Sequence, residues 1–297
     1  MKSELSRRIK SLRKKKGYTQ GKFAELLGVG QTTVANYERG IRIPDMEKLT
    51  RIASIFDVTM DYLLGIDEKY YSKNAFDAKN RTSVSLDEAS SVFLSLLLNG
   101  YGQEAGNLIT GLHDKRANIR ELYFDVLGRV LREVGVLWER GSIDVWKEHY
   151  ISETVMDIMS ELKARERRPM SKPYSVLALT SGPELHNIGI KMIAYLLELE
   201  GFDVTYLGSN VPVLSIIKAI EIKKPDIIAI SVTMPYHIEA AKNTIAALKG
   251  HFGSNSPRII LGGGAFRECR DAWRETGADY YGAGLDDVIS AIEKGGV

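Results

Sequence analysis

The stretch ELHNIGIKM at residues 184–192 places a histidine, His186, two residues after a carboxylate, Glu184, and three before a glycine, Gly189, where an amphipathic helix begins. A carboxylate that close can hold one ring nitrogen of the imidazole and leave the other free as a ligand; the alternative is an ordinary polar start to a helix. Two further stretches carry groups suited to ligand binding. ISVTMP sets Ser231 and Thr233 behind an apolar run, and ILGGGAF sets Gly262, Gly263 and Gly264 where a flat or bulky group can approach bare backbone.

The elements around these residues decide where they stand. From residue 172 to 297 the β-rich runs YSVLALT, DVTYLG, DIIAIS, RIILGG and DYYG alternate with amphipathic helices beginning near Asn187, Val213, His237, Phe266 and Asp286. That alternation predicts an α/β, Rossmann-like, doubly wound parallel sheet of five strands. Ligands of such sheets lie outside the carboxyl ends of the strands. His186 follows the first strand, Ser231 and Thr233 the third, and the glycines the fourth, so topology alone puts all of them on the ligand-binding edge.

Residues 84–168 are helical by pattern. ASSVFLSLLLNG, QEAGNLITGLHD, ANIRELYFDVLGRVLREVGVLWERG and SIDVWKEHYISETVMDIMSELKARERR are separated by turns at Asn99–Gly100, around Asp114 and at Gly141, and Pro169 and Pro173 close the region. Four helices on short connections predict a four-helix bundle. Residues 67–83 are polar without period and read as a linker.

Charge separates the first 66 residues from the rest. They hold 13 Lys/Arg against 7 Asp/Glu, a balance of +6, and since the whole chain carries +2 the remainder is at −4. A basic head suits an anionic polymer. Its first helix carries Leu5, Ile9 and Leu12 inward and ends at Gly17 behind the basic run Arg13 to Lys16. Thr19 can cap a second helix with Phe23, Leu26 and Leu27 inward, Gly28 allows a tight turn, and a third helix runs from about Gln31 to before Gly40. IPDMEKLTRIASIFDVTMDYLLG then supplies two more helices that bury Leu49, Ile52, Ile55, Phe56, Leu63 and Leu64. Two short helices around a glycine turn predict an all-α helix-turn-helix domain over residues 1–66. The order TQ, FAELLGV, TVANYERG, IPDMEKLTRIA and DVTMDYLL resembles the Cro/repressor-type (XRE) DNA-binding family. The resemblance implies double-stranded operator DNA as partner. It implies that Gln31, Thr32, Thr33 and Asn36 face base edges, that Gln20 touches phosphate, and that Arg39 or Arg42 follows the backbone. Tyr37 is expected to be packed.

With 297 residues, 44% of them hydrophobic and 26% charged, the chain can build several cored domains. Cys269 is the only cysteine, which excludes an internal disulfide. There is neither a secretory apolar segment at Met1 nor an apolar run long enough to span a bilayer, so a cytoplasmic protein with no membrane partner is expected.

Residues 172–297 carry five separated elements in order: E-x-H-x-x-G at 184–189, L-G-x-x-V-P at 207–212, S-x-T at 231–233, the triple glycine, and GADYYGAGLDD at 277–287. Together they resemble the cobalamin (B12)-binding domain of methionine synthase, corrinoid carriers and B12-dependent mutases. The resemblance implies cobalamin as cofactor, with His186 as lower ligand to cobalt, Glu184 as the carboxylate behind it, Ser231 as the hydroxyl completing a relay, Gly262 to Gly264 along the tail of the ligand, and Gly189 and Thr233 also among the cofactor-binding residues. Glu184 stands where the family more often has Asp, and Thr233 where it more often has Leu.

In that family a helical bundle caps the upper face of the corrin. Trp138, nine intervening residues, then Glu148 and His149 resemble the cap of adenosylcobalamin photoreceptor regulators of the CarH/LitR kind, which implies that Trp138 packs on the adenosyl group and that Glu148 and His149 line the upper pocket. Two features depart from that pattern: the head is Cro-type where those regulators carry a winged MerR-type head, and Glu139 stands where their capturing histidine follows the tryptophan. The expectation is a non-enzymatic transcriptional regulator, a homo-oligomer (dimer or tetramer), with adenosylcobalamin as a light-sensitive switch. A corrinoid methyl carrier for methyltransferases and a cobalamin-supply sensor without photochemistry stay open as alternatives.

Overall fold

A computed structural model of the chain describes residues 2–56, 58, 63, 85–167, 169–267 and 271–294. It divides into two compact units, Met1–Leu112 and His113–Val297. The linker at 67–83, Leu64, Cys269 and most of the last helix expected in the head lie outside the described residues.

In the first unit, α1 (Lys2–Lys15), α2 (Gln20–Leu27), α3 (Gln31–Arg39) and α4 (Met46–Phe56) form the head. Local chemistry sets their ends. Thr19 Oγ1 accepts from Lys22 N at 3.1 Å, and Asp45 Oδ1 accepts from Lys48 N at 2.8 Å. Gly28 and Gly40 close α2 and α3 in the left-handed conformation, at φ 70° and 75°. Leu5, Ile9, Phe23, Leu27, Val34, Tyr37, Leu49, Ile52, Phe56 and Leu63 share one core, to which Leu12 and Ile55 add partly buried faces. Tyr37 is therefore packed, as expected. Helices α5 (Leu86–Leu98) and α6 (Gly102–Asp114) follow, the first capped by Ser85 Oγ accepting from Glu88 N.

A charged cluster ties α1 to α3 inside the head. Glu38 on α3 has a side chain only 2% exposed, and Arg13 Nε and Nη2 donate to its two oxygens at 2.5 and 3.1 Å. Gln20 Nε2 donates to the same carboxylate at 2.8 Å. Burial pushes the Glu38 carboxyl up, but these donors hold it below the usual carboxylate range. Arg13 therefore drops out of the basic run as a cation for DNA, leaving Lys14, Lys15 and Lys16 exposed.

In the second unit, Ile119–Glu121, Leu122–Leu127 and Gly128–Glu139 run on as one helix, α7, whose middle six residues are a π segment. After a short turn comes α8 (Val145–Arg165), then β1 (Ser175–Thr180), α9 (Ile188–Leu199), β2 (Asp203–Gly208), α10 (Val213–Lys223), β3 (Ile227–Ser231), α11 (Ile238–Phe252), β4 (Arg258–Gly262), β5 (Tyr280–Gly282) and α12 (Leu285–Lys294). The five strands form one parallel sheet in the order β2-β1-β3-β4-β5. Strand β3 is buried at every position and β1 at all but its first, as expected of strands covered on both faces. The helix expected near Phe266 is a correction. Between β4 and β5 the described residues form only the 3-10 turns Gly264–Phe266 and Ala272–Thr276. Phe266 is fully buried there and stacks edge-on against Tyr281, so the segment covers the sheet through aromatic anchors instead of a helix face. Among the described residues no helix is long and apolar enough to cross a membrane.

Glu38→Ala should lower the stability of the head by about 3 kcal/mol or more, because it leaves Arg13 buried without its partner. Urea unfolding followed by circular dichroism checks this, and an unchanged transition would show that the cluster contributes little.

Candidate functional site

The strand order reverses between β1 and β3, and that switch point is where the loop after β1 meets the loop after β3. The first loop is pinned at its base by Thr180 Oγ1, which donates to Glu184 O at 2.8 Å, and by Ser181 Oγ, which donates to Thr244 Oγ1 on α11 at 3.1 Å. This turn drives Glu184 inward until its side chain is 0% exposed and leaves His186 outward at 55%.

Both carboxylate oxygens of Glu184 are used. Oε1 accepts from His186 N at 3.0 Å and lies 2.5 Å from His186 Nδ1. Oε2 accepts from Thr233 N at 2.9 Å and Met234 N at 3.0 Å, both just past β3. Burial would raise this carboxyl, but the amides of Met234 and His186 and the rings of His186 and His237 outweigh it and hold it at about 2. An ionised carboxylate can only accept, so the proton between it and His186 belongs to Nδ1, which leaves Nε2 as the ring nitrogen that can offer a lone pair to a metal. The result is a half-exposed imidazole whose Nδ1 is fixed by the carboxylate and whose Nε2 is open to a metal.

The relay through Ser231 does not form: its hydroxyl makes no hydrogen bond to Glu184, whose second oxygen is taken by two amides of the following loop. Thr233 contributes its backbone N–H, while its hydroxyl reaches only His186 O at 3.4 Å. His237 was marked by the sequence only as the start of a helix, yet its Nδ1 lies 3.1 Å from Glu184 Oε2. Its place just after β3 was the available signal, since the topology that singles out His186 applies to it as well.

Two of the three glycines at 262–264 are also required by the protein itself. A Cβ on Gly262 would lie 2.4 Å from Gly282 O, and one on Gly263, at φ 114°, would lie 2.2 Å from Val232 O. Closure of the protein's own strand ends already demands both. Gly264 is less tight, at 3.2 Å from Thr233 O, and at Gly189, in the first turn of α9, a Cβ would meet open space.

The contacts of α8 locate the other candidate residues. Lys191 Nζ approaches Met156 Sδ at 3.9 Å, Ser160 Oγ lies 3.4 Å from Tyr195 Oη, and Lys163 pairs with Glu198. All three pairs share an offset of 35 residues, so α8 and α9 run parallel in a fixed register. Since α8 starts at Val145 and α9 at Ile188, its first two turns extend about 12 Å past the start of α9, beyond the carboxyl edge of the sheet. His149 lies two turns before Met156 on the same stripe of the helix. Helix α7 returns antiparallel, joined to α8 through Tyr123 Oη donating to Met159 O at 2.6 Å, so Trp138 at its end stands beside the start of α8. Trp138, Glu148 and His149 are thus brought to the same end of the unit as His186. Trp138, Val136, Val145 and Trp146 are exposed there, as are Leu185 and Tyr236 on the two sheet loops. His149 Nδ1 lies 2.6 Å from Glu148 Oε2, and Ser152 Oγ donates to Glu148 Oε1 at 2.7 Å.

In the head, Gln31, Thr32, Arg39 and Arg42 are exposed, and Thr33 and Asn36 half-exposed. Six polar groups thus stand at the accessible surface of α3 and the turn after it. Gln20 departs from its expected place, because its amide nitrogen is engaged by Glu38 inside the domain.

Comparison with known proteins matches this division. Residues 9–63 match a family described as Helix-turn-helix, and residues 92–163 and 174–291 match two families each described as B12 binding domain. Over 78 residues the chain is 44% identical to the HTH-type transcriptional regulator ImmR of Bacillus subtilis (strain 168), a match covering 26% of this chain and 61% of that protein. Over 168 residues it is 27% identical to Trimethylamine corrinoid protein 1 of Methanosarcina acetivorans, covering 54% of this chain and 76% of the relative. The chain thus spans about three fifths of the length of the regulator it matches. The structure of the Methanosarcina barkeri monomethylamine corrinoid protein shares the fold with a TM-score of 0.58, at 16% identity, over 71% of this chain and 100% of that one. A Cro/repressor-type helix-turn-helix is here fused to B12-binding modules.

The depressed pKa of Glu184 makes a pH-dependent contribution to stability. Its folded value of about 2 lies below the ordinary 4.5, so the contribution is complete above pH 4.5 and is lost as pH falls toward 2. The gap in melting temperature between wild type and Glu184→Gln should therefore be widest above pH 4.5 and close on acidification. A constant gap across that window would mean that the carboxylate charge is not what holds the two loops.

Proposed function

We propose that the chain is a transcriptional regulator whose hold on operator DNA is set by cobalamin, with adenosylcobalamin as a light-sensitive switch ligand. The observation that carries the reading is His186, half-exposed at the switch point with Nδ1 held by a buried ionised carboxylate, in a chain whose head is a helix-turn-helix. The residues fit the cofactor. His186 Nε2 would hold the cobalt, and the exposed apolar groups at the end of α7 and start of α8 would cover the bound cofactor. When bound, adenosylcobalamin supplies a cobalt centre that takes an imidazole and a cobalt–carbon bond that light breaks.

The chain's own residues do the rest. Glu184 keeps the His186 ring in one tautomer and one orientation. Trp138, with Val136 and Val145, closes the upper side of the site only while an apolar group fills it, so filled and empty forms expose different apolar surface. A ligand shifts an equilibrium only through such a difference between states. Self-association is the natural readout, because paired heads reach half-sites about one DNA turn apart. On the DNA, Gln31, Thr32, Thr33 and Asn36 read base edges, and Arg39 and Arg42 contact the backbone.

Glu139 supports a second reading. It follows Trp138 where a capturing imidazole is expected, and a regulator that senses cobalamin supply without photochemistry needs no such group. The corrinoid relatives favour a third, methyl carriage between methyltransferases, which requires an upper face open to protein partners; the overhanging start of α8 weighs against it.

Visible spectra and size-exclusion mass of the protein with adenosylcobalamin, in the dark and after green light, separate these readings. Wild type should change both, and Trp138→Ala should bind cobalamin yet lose preference for the adenosyl form over hydroxocobalamin. If light leaves mass and DNA binding unchanged while cobalamin alone alters them, the supply sensor replaces the switch.

Gln31→Ala with Asn36→Ala should relax base preference by roughly 1–3 kcal/mol for each lost bidentate contact. Lys14→Ala with Lys15→Ala should weaken binding to all sequences and flatten its salt dependence. Unchanged preference in the first variant on a set of operator variants would mean that α3 does not read bases.

A further inference from the structure

The carboxylate behind His186 faces a second imidazole that no sequence motif marks. His237 ends the 3-10 turn after β3 and stands just before α11, and its side chain is 14% exposed. Its Nδ1 is buried 3.1 Å from Glu184 Oε2, close enough to help hold that carboxyl down but without the alignment of a full hydrogen bond. That oxygen already accepts from Thr233 N and Met234 N, so the ring sits within reach but out of line. A buried ring nitrogen without a partner carries a desolvation cost that a small turn of the carboxylate would remove. The ring is itself held by Tyr236, which meets it edge-on at 4.4 Å between centroids. Glu184 thus has an imidazole on each side, one bonded and outward, the other unbonded and inward.

We infer that His237 is a positioning residue of the cobalt-ligand site: its Nδ1–H donates to Glu184 Oε2 when His186 binds metal, fixing the carboxylate from behind and so fixing the His186 ring. The inference rests on the proposed cobalamin site. It assigns to His237 the place in the relay that Ser231 does not fill. The Glu184 charge has to be held in place when His186 gives its Nε2 lone pair to a cation, because that donation strengthens the pull of Nδ1–H on Oε1. A second donor on Oε2 balances the carboxylate between the rings, and the surrounding amides cannot shift to do so because they belong to the backbone after β3.

The test compares His237→Phe, which keeps an aromatic ring without the donor, with His237→Asn, whose Nδ2 can stand where Nδ1 stood. Each variant, at full length, is titrated with hydroxocobalamin. The complex is then reduced to its paramagnetic cobalt form, and coupling from labelled histidine nitrogen is read by electron paramagnetic resonance. Partners behind metal-ligating histidines typically change metal affinity 10- to 100-fold, so His237→Phe should bind about tenfold more weakly or worse and show a smaller fraction of cobalt coupled to histidine nitrogen. His237→Asn should restore both toward wild type. In the ligand-free protein, the strongly hydrogen-bonded Nδ1 proton of His186 should remain visible by nuclear magnetic resonance in both variants, which shows that the fold and the Glu184–His186 bond are intact. Equal affinity and equal coupling in wild type and His237→Phe overturn the inference, as does a loss in His237→Phe that His237→Asn does not restore. Wild type without any coupling from His186 overturns the cobalamin site itself, and that result is distinct from either.

Discussion

A buried carboxylate must be satisfied on both oxygens, and in the second unit that requirement falls on Glu184. Leaving such a charge unpaired away from water costs several kcal/mol. The chain meets the requirement with donors from two different crossovers: the amide and ring of His186 after β1, and the amides of Thr233 and Met234 after β3. The two loops flanking the switch point are therefore joined through one side chain. The orientation of His186, the start of α9 and the path of the chain from β3 into α11 all depend on where that carboxylate lies.

The head uses a buried carboxylate in a different way. Glu38 takes both oxygens' worth of donors from Arg13, with Gln20 adding a third bond, and so locks α1 against the helix that presents Gln31 and Asn36. Arginine stays charged at any ordinary pH, so that lock is permanent. Histidine can give up a nitrogen to a metal while keeping its hydrogen bond, so the Glu184 cluster leaves a coordination position available. Permanent pairing suits a helix held in fixed register, and imidazole pairing suits a site that keeps one nitrogen open.

The register of α8 against α9 carries the second half of the site. Three contacts at one offset fix the helices so that the start of α8 overhangs the sheet edge, where Trp138, Glu148 and His149 join His186 at one end of the unit. The exposed apolar groups at that end carry a solvation cost that a covering ligand would offset.

Period, punctuation and topology were legible in the sequence. The helix-turn-helix with its Thr19 cap and Gly28 turn, the five parallel strands, the four helical stretches at 86–165, and His186 on the carboxyl edge all follow from hydrophobic spacing and from the rule that places ligands at that edge, because those depend on local geometry and strand order. What depends on groups distant in sequence meeting at a few ångströms was decided only by the tertiary structure. Such decisions include the second oxygen of Glu184 going to the amides of Thr233 and Met234 instead of Ser231, His237 standing behind it, and Gln20 turning to Glu38. Gly262 and Gly263 belong here too, since what excludes a Cβ is the backbone of Gly282 and Val232, and so does the segment around Phe266, which anchors through buried aromatics where an amphipathic pattern suggested a helix. Spacing along a chain records which face a residue shares with its near neighbours; it does not record the directions of hydrogen bonds between loops that only the closed sheet brings together.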